Sequence, residues 1–453
     1  MSKVEIRTPL SAVRDNAKRL TGGLLDYDAL LEMAGDRNFV LLGEASHGTH
    51  EFYAMRADIT RRLIEELGFD AVIVEGNWPD VYRINRFVRN LSDYDAADEA
   101  PADALAEFTR FPRWMWRNRE VERFIAWLRT HNEGLRNEER AGMYGLDLYS
   151  LHRSAAAVIE YLERVDPPAA ERARERYSCL DHRGDPQLYG YSASMGASMN
   201  LTQACAEAAV AQLRELLDAR AGILKSDGMA AEDEQFVAES NARVVKNAEQ
   251  YYRGMFSSRV NTWNLRDQHM ADTLFELHRH LSAQRGRPAK IAVWAHNSHL
   301  GDARATQASR RGELNLGQLA RERAGNKVLL VGFTTYTGHV TAAHDWDAPA
   351  EHRWVRPALK GSIEHLFERS GFDRFFLALN RPHEDGLRES ALQRAIGVIY
   401  RPETERQSHY FNVSLAAQFD AVFHLDETSA LEPLDMTDQW NHREVPETWP
   451  TGM

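Results

Sequence analysis

The chain lacks most of the short motifs by which hydrolases and nucleotide-binding proteins are recognised. It has no GxSxG elbow, no GxGxxG run, no P-loop and no HExxH pair. The string nearest to an elbow, residues 190–194, lacks the final glycine. An ordinary serine hydrolase, an NTPase and a zincin metalloprotease are therefore disfavoured.

Cysteine is also scarce, since Cys179 and Cys205 are the two cysteines of 453 residues. Neither has CxxC or CxxH spacing, so we expect two free thiols in a reducing cytoplasm. The N-terminus has no apolar segment typical of a secretory signal, and no run approaches the length of a membrane span. A net charge of -12 argues against nucleic acid or an anionic membrane as a partner.

What the sequence does contain is a series of short apolar runs separated by helical patterns. Residues 39–42 and 71–74 flank a helical pattern that ends at Gly68, which predicts a βαβ unit and a buried parallel sheet. Further strands are predicted at residues 143–146, 291–295, 328–333, 374–379, 397–400 and 421–425.

The middle of the chain differs from both ends. From about residue 151 to 281 it is rich in Ala, Arg and Glu and fits a helical pattern throughout. We therefore predict an α/β fold with a mainly parallel sheet flanked by helices and a large helical insertion capping the cleft. The predicted parts are an N-terminal segment with the first half of the core (1–150), the insertion (151–285), the second half of the core (286–430) and an irregular tail (431–453).

Acids and histidines follow four of the predicted strands. Catalytic groups in open α/β sheets collect at the carboxyl ends of the strands, so these side chains are candidates for one site. The candidates are Glu44, His47, His50, Glu75, Asp147, His296 and His299.

His47 is the strongest candidate for a general base. Its ordinary pKa lies near neutrality, Gly48 allows a tight turn beside it, and Glu44 can orient its ring. Arg56 falls on the apolar stripe of the next helix and needs a partner, for which Glu44 and Glu75 are both available. Arg266 is expected to begin another helix, as a cap or an ion pair.

Five segments, taken in order, resemble the erythromycin esterase family over about residues 37–430. They are 43–49 (GEASHGT), 74–76 (VEG), 145–147 (GLD), 266–270 (RDQHM) and 294–299 (WAHNSH). The resemblance implies hydrolysis of an ester, in the best-known members the macrolactone of erythromycin-type antibiotics, on an α/β core closed by a helical portion. It also implies that His47 activates water and that the active site contains Glu44, His47, Arg56, Glu75, His296 and His299.

We therefore expect a metal-independent hydrolase of a small-molecule ester with no cofactor. Arg56, His296 or His299 would stabilise the oxyanion, while His50, Asp147 and Arg266 would bind substrate.

Two alternatives stay open. The histidine pairs with Glu44 and Glu75 form a ligand set suited to a divalent cation in a metal-dependent hydrolase. A non-catalytic protein could instead use the same groups to bind a small molecule such as haem. The sequence does not indicate an oligomeric state.

Overall fold

The computed structural model describes residues 8–91, 98–183, 187, 189–191, 199–223, 228–256, 259–379 and 387–441. Contacts divide the chain into two compact units. The sheet unit comprises Met1–Val72, Arg86–Gly142 and Lys290–Met453, and the helical unit comprises Ile73–Asn85 and Met143–Ala289. The boundaries expected at residues 150, 285 and 430 stay predictions.

The strands match most of the predicted apolar runs. They are β1 (Lys18–Arg19), β2 (Phe39–Leu42), β3 (Ala71–Asn77), β4 (Gly142–Asp147), β5 (Ile291–Trp294), β6 (Val328–Ala342), β7 (Glu351–Val355), β8 (Arg374–Ala378), β9 (Ser390–Arg394), β10 (Tyr410–Ser414) and β11 (Ala421–Thr428).

Helices connect the strands and fill the middle of the chain. The first group is α1 (Pro9–Asn16), α2 (Asp28–Ala34), α3 (His50–Leu67), α4 (Trp78–Arg89), α5 (Pro101–Ala104) and α6 (Arg119–Asn132). The middle group is α7 (Leu151–Val165), α8 (Pro167–Tyr177), α9 (Met199–Ile223), α10 (Gly228–Gly254) and α11 (Arg259–Arg285). The last group is α12 (Asn297–Leu300), α13 (Leu316–Ala324), α14 (Ile363–Glu368), α15 (Glu405–Ser408), α16 (Leu415–Gln418) and α17 (Asp438–Asn441).

The sheet unit is built on a mixed sheet with a parallel centre. Its strands run in the order β1-β8-β11-β6-β2-β5. The pairings β2–β5, β2–β6 and β6–β11 are parallel, while β8 pairs antiparallel with β1 and β11, and β7 pairs antiparallel with β6. β9 and β10 form a separate antiparallel pair. The predicted α/β fold with a mainly parallel sheet is confirmed.

The central strand β2 shows why the sequence forms this sheet. All four of its residues are buried, as expected for a continuous apolar run covered on both faces. The helix that follows, α3, buries Phe52, Ile59 and Leu63 along one stripe. It ends at Gly68, whose φ of 64° is left-handed and easily adopted by glycine.

The helical unit has its own apolar core. It contains buried residues of α7, α8, α9 and α10, among them Val158, Leu162, Ala173 and Val245. The described part of residues 151–285 folds into helices α7 to α11. Its role as a cap stays a prediction. No helix among the described residues is long and apolar enough to cross a membrane.

Three expectations are corrected by the structure. Cys179 and Cys205 are bonded to each other, with their Cα atoms 5.9 Å apart, so the expected free thiols are absent from the structure. The predicted strand at 397–400 does not form a regular strand, and the local strand is β9 instead. The tail predicted as irregular over 431–453 contains α17, and residues 442–453 lie outside the described residues.

The disulfide was missed because the sequence separation of 26 residues does not show that two helices pack together. Cys179 lies in the turn that follows α8, and Cys205 lies on α9 with 2% of its surface exposed. Since α8 packs against α9, the turn brings the first cysteine to the second.

Candidate active site

The first candidate site lies at the carboxyl end of β2, in the loop of residues 43–50. Hydrogen bonds from other segments hold this loop at several points. Ile396 N–H donates to Ala45 O at 2.8 Å, and the N–H groups of Thr341 and Leu431 both donate to Gly48 O at 2.9 Å. The loop backbone is therefore fixed before any ligand binds.

Two glycines in this loop are required by close packing. A Cβ atom on Gly43 would lie 2.1 Å from Oδ1 of Asn297, and one on Gly48 would lie 1.8 Å from the carbonyl oxygen of Thr341. Neither distance is compatible with a side chain. The close approach of neighbouring atoms therefore explains why glycine occupies both positions of the motif.

Glu44 and His47 form a hydrogen-bonded pair in the loop. Oε1 of Glu44 lies 2.8 Å from Nδ1 of His47, and the glutamate is fully buried while His47 is 7% exposed. A carboxylate accepts hydrogen bonds, so in a neutral His47 the proton lies on Nδ1 and the lone pair on Nε2. This is the geometry of a general base oriented by an acid.

Arg56 occupies the second oxygen of the same carboxylate. Its Nη2 lies 2.5 Å from Oε2 of Glu44, and its Nε donates to Phe52 O at 3.3 Å. The arginine is fully buried on α3, as its position on the apolar stripe predicted. Of the two partners left open by the sequence, the structure therefore selects Glu44.

His296 lies next to His47, with 4.9 Å between their ring centroids. The backbone N–H of Ser298 donates to Nδ1 of His296 at 3.2 Å, and the Ser298 hydroxyl lies 2.8 Å from the same nitrogen. Nδ1 is therefore an acceptor, and the proton of a neutral His296 lies on Nε2. These contacts therefore favour opposite tautomers in the two neighbouring histidines when both rings are neutral.

His50 and His299 each follow a histidine of this arrangement by three residues in the sequence, and they differ in burial. His299 belongs to α12 and is 3% exposed. The side chain of His50, the first residue of α3, is 39% exposed and lies 3.5 Å from Glu120 Oε1. The predicted roles of these two histidines stay predictions.

The helical unit holds a second cluster, formed by Glu75, Asp147 and Arg266. Nη2 of Arg266 lies 2.7 Å from Oε1 of Glu75 and 2.7 Å from Oδ2 of Asp147, and its Nε donates to Oδ1 of Asp147 at 3.0 Å. Glu75 and Asp147 follow the apolar parts of β3 and β4, as predicted. Arg266 is not at a helix start, because α11 begins at Arg259. The ion-pair interpretation of Arg266 describes its observed contacts.

Tyrosines cover this second cluster. The guanidinium carbon of Arg266 lies 5.0 Å from the ring centroid of Tyr149, whose hydroxyl donates to that of Tyr251 at 3.3 Å. Burial raises the pKa of Tyr149 well above its usual value. Burial lowers the pKa of Arg266, but the charges of Asp147 and Glu75 and the neighbouring Tyr149 raise it by more, so it stays protonated.

Several residues that shape the first site were not predicted from the sequence. Asn297 donates from Nδ2 to Phe333 O at 2.7 Å and accepts at Oδ1 from Phe333 N–H at 3.3 Å. Its own N–H donates to Glu44 O at 2.8 Å. An asparagine three residues after the end of β5 is the signal that could have indicated this link.

Within the described residues, no group of three or more His, Cys, Asp or Glu side chains is arranged to hold a metal ion. In the first cluster, the two oxygens of Glu44 contact His47 and Arg56. The metal-dependent alternative stays a prediction that a chelation experiment can test.

Comparison with known proteins gives the same family as the sequence motifs. A model of the family described as erythromycin esterase matches residues 64–428. Erythromycin esterase type II of Escherichia coli is 23% identical over 423 residues, which cover 90% of this chain and 93% of that protein.

Solved structures share the fold. A protein from Bacillus cereus matches with a TM-score of 0.76 at 19% identity, covering 94% of this chain and 98% of that one. A succinoglycan biosynthesis protein matches with a TM-score of 0.74 at 20% identity, covering 94% and 97%. A mutant of the erythromycin esterase EreC in its open conformation gives 0.64 at 19% identity, covering 90% and 95%.

At these identities the structural likeness establishes the fold alone, whereas the family model spans most of the sequence. The chain belongs to the erythromycin esterase family and is a carboxylic ester hydrolase.

Proposed function

We propose that the protein hydrolyses its ester with water activated by His47, and that the macrolactone of an erythromycin-type antibiotic is a candidate substrate. The observation that carries the proposal is the pair of contacts, Glu44 at Nδ1 of His47 and Ser298 N–H at Nδ1 of His296, which favour opposite tautomers in two neighbouring neutral rings. In this state His47 has its lone pair on Nε2, while the neighbouring His296 has its proton on Nε2. One ring is suited to take a proton and the other to donate a hydrogen bond.

The first step of the proposed reaction is the removal of a proton from water by a general base. Nε2 of His47 takes a proton from water, and the hydroxide adds to the carbonyl carbon of the ester. The carboxylate of Glu44 stabilises the resulting imidazolium through Nδ1. The proton then passes from Nε2 to the leaving alkoxide as the carbon–oxygen bond breaks, which yields an acid and an alcohol.

The oxyanion of the tetrahedral intermediate needs a hydrogen-bond donor. The sequence suggests three candidates, which are Arg56, His296 and His299. Arg56 is fully buried and its Nη2 already donates to Glu44, so its observed contact is with the carboxylate. His296 lies against the base, and we therefore assign the oxyanion to its Nε2–H. His299 remains a neighbouring residue of the same segment, with a role that stays a prediction.

The macrolactone is proposed because a relative that spans most of this chain is named an erythromycin esterase. Opening a lactone ring keeps both products in one molecule, so the product is heavier than the substrate by one water. Mass spectrometry of erythromycin after incubation with the purified protein detects this change directly. A panel of simple esters serves as the comparison for substrate choice.

The decisive variant is His47→Ala. Removing a general base lowers turnover by roughly 10²- to 10⁴-fold, so we expect hydrolysis to fall to near background with the far-UV circular dichroism unchanged. His344→Ala is the matched control, because the side chain of His344 is 58% exposed and pairs with Glu351 at the surface. A His47→Ala protein with near-normal turnover would remove His47 from the mechanism.

The two alternatives predict different results in the same assay. Loss of hydrolysis on treatment with a chelator, restored by one divalent metal, would favour a metal-dependent hydrolase. Binding of a macrolide without a mass change would favour a non-catalytic binding protein. Hydrolysis of simple esters but not of erythromycin would retain the mechanism and reject the macrolactone.

A further inference from the structure

The guanidinium group of Arg56 lies over two aromatic rings. Its guanidinium carbon is 4.4 Å from the ring centroid of Tyr53 and 5.2 Å from that of Trp294. Tyr53 and Arg56 are fully buried, and Trp294 is 1% exposed. A cation over an aromatic face is stabilised by up to about 2 kcal/mol when water is excluded, and tryptophan is the strongest of the aromatic partners.

The rings matter because Arg56 makes few hydrogen bonds. Nη2 donates to Glu44 and Nε donates to Phe52 O, whereas Nη1 has no hydrogen-bond partner among the described residues. Two hydrogen bonds on one side of a guanidinium leave its tilt weakly determined. The ring faces of Tyr53 and Trp294 therefore fix the plane in which Nη2 meets the carboxylate.

Trp294 is itself fixed by the helix that carries Arg56. Its indole Nε1–H donates to Oγ1 of Thr60 at 2.9 Å, and the ring of Phe124 lies 4.9 Å away, centroid to centroid. Thr60 follows Arg56 by one helical turn on α3. Trp294 thus contacts two successive turns of α3, one through its N–H group and the other through its ring face.

We infer that Trp294 is a positioning residue for the catalytic base and acts through Arg56 and Glu44. The contacts form a single series, in which Thr60 fixes Trp294, Trp294 fixes Arg56, Arg56 fixes Glu44, and Glu44 holds Nδ1–H of His47. The inference rests on the function proposed above, because it assigns the series to the orientation of His47. Trp294 is the last residue of β5 and pairs with Leu42 of β2, so the sheet sets its position.

The predicted consequence is a change in the tautomer of His47 rather than in substrate binding. When the Arg56 plane is no longer fixed, Glu44 can rotate, and the preference for a proton on Nδ1 weakens. Trp294 is buried and would not touch the substrate. We therefore expect kcat to fall while KM stays constant.

The first measurement is spectroscopic and needs no substrate. Long-range ¹H–¹⁵N correlation spectra of protein labelled with ¹⁵N-histidine distinguish the two ring nitrogens, and the loss of one set of signals in His47→Ala assigns His47. In the parent protein we expect His47 to be protonated at Nδ1. In Trp294→Phe, which keeps a ring but cannot donate to Thr60, we expect a mixture of tautomers.

The second measurement separates positioning from general stability. Thr60→Val removes the acceptor for the indole N–H, whereas Thr60→Ser keeps the hydroxyl. We expect kcat to fall roughly tenfold in Trp294→Phe and in Thr60→Val, with KM unchanged, and to be restored in Thr60→Ser. Trp114→Phe is the control, because Trp114 is a buried tryptophan of the same unit, 6% exposed in a short 3₁₀ helix.

The control is expected to lower thermal stability while leaving the His47 tautomer and kcat unchanged. A folded Trp294→Phe protein with the parent tautomer and the parent kcat would overturn the inference. If Trp294→Phe does not fold, Thr60→Val against Thr60→Ser decides the matter. If the parent protein hydrolyses no ester, the proposed function fails, and the His47 tautomer in the Thr60 variants still decides whether Trp294 positions the imidazole.

Discussion

The sheet unit and the helical unit each contain a buried cluster of opposite charges, and the clusters are connected in opposite ways. In the sheet unit one carboxylate, Glu44, binds both Arg56 and His47. In the helical unit one guanidinium, Arg266, binds both Glu75 and Asp147. The first cluster includes an imidazole, a group that can accept and donate a proton, whereas the second is held by a guanidinium, which stays protonated.

The difference indicates a division of roles. A histidine held by an acid is suited to proton transfer, and an arginine held by two acids is suited to keeping charge in a fixed place. The catalytic role of Glu75 stays a prediction, and among the contacts of Glu75 is an ion pair with Arg266. The following substitutions would break or sharpen the comparison.

The largest effect is expected from Glu44→Gln. The amide keeps the shape of the side chain but loses the charge that stabilises an imidazolium, and it leaves Arg56 buried without a counter-ion. We expect kcat to fall on the order of 10⁴-fold, the scale seen when the acid that orients a catalytic histidine loses its charge. Steady-state kinetics on the best substrate measure the change.

The matched control for this substitution is Glu351→Gln, which removes the acid partner of the exposed His344. Its kcat should lie within about twofold of the parent, since exposed ion pairs contribute little. Equal losses in the two variants would show that Glu44 has no special relation to the base.

The next effect is expected from Arg266→Met and concerns stability. The substitution leaves Glu75 and Asp147 buried without their cation, both being 5% exposed or less. Removing one partner of a buried ion pair costs about 3–5 kcal/mol, so the free energy of unfolding in urea should fall by about that amount. Adding Asp147→Asn to Arg266→Met should recover part of the loss.

Arg266→Lys tests whether the same cluster binds substrate, as the sequence predicted. A lysine keeps the charge but cannot reproduce the paired contacts with Asp147. A rise in KM with unchanged kcat would support substrate binding, whereas a loss of stability with unchanged kinetics would show that the cluster serves only the fold.

The smallest effect concerns His269, a buried histidine of the helical unit whose Nδ1 lies 2.8 Å from Nδ2 of Asn247. Burial lowers the pKa of His269 to about 4. In the unfolded chain the pKa of His269 is close to its ordinary value of 6.5. As the pH falls from about 6.5 to about 4, the imidazole is therefore protonated in the unfolded chain but not in the folded protein. Stability from this residue is therefore complete above the higher pH and is lost toward the lower one.

The expected size of this loss is about 2 kcal/mol between about pH 7.5 and about pH 5. Urea unfolding at the two pH values measures it, and His269→Gln should reduce the difference by that amount. His344→Gln, at an exposed position, should leave the pH dependence of the parent unchanged. If His269→Gln has the parent's pH dependence, the burial of this imidazole does not explain acid sensitivity.

Much of the sheet could be predicted from the sequence because its central strands carry an uninterrupted apolar signal. The four residues of β2 and of β5 are all buried, and each run was visible without tertiary information. β9 (Ser390–Arg394) was missed because its residues are not β-branched or aromatic, and its regular partner is β10. The apolar run at 397–400 instead makes isolated backbone bonds to Ala343.

The sequence predicted which residues belong to the site, but not which of their side chains contact one another. Strand ends identified Glu44, His47 and His296, and the need for a buried charge to be paired identified Arg56 as unusual. Which acid would pair with which arginine depended on distances between elements far apart in the sequence. Trp294 begins the segment 294–299 that resembles the family, but neither Trp294 nor Thr60 was predicted to position the site. A buried tryptophan and a helical threonine are ordinary core residues by sequence pattern.

The position of β2 in the sheet has a consequence for synthesis of the chain. Glu44, His47 and Arg56 all lie within the first fifty-six residues, yet both neighbours of β2, the strands beginning at Ile291 and Val328, leave the ribosome much later. Until these two strands have been synthesised, β2 lacks both of its strand partners. Trp294 has not been synthesised either, so Arg56 lacks this ring contact. A fragment ending before residue 290 would contain His47 and Glu44 but neither the strands that pair with β2 nor Trp294. A separately made C-terminal fragment would have to supply both the paired strands and the tryptophan.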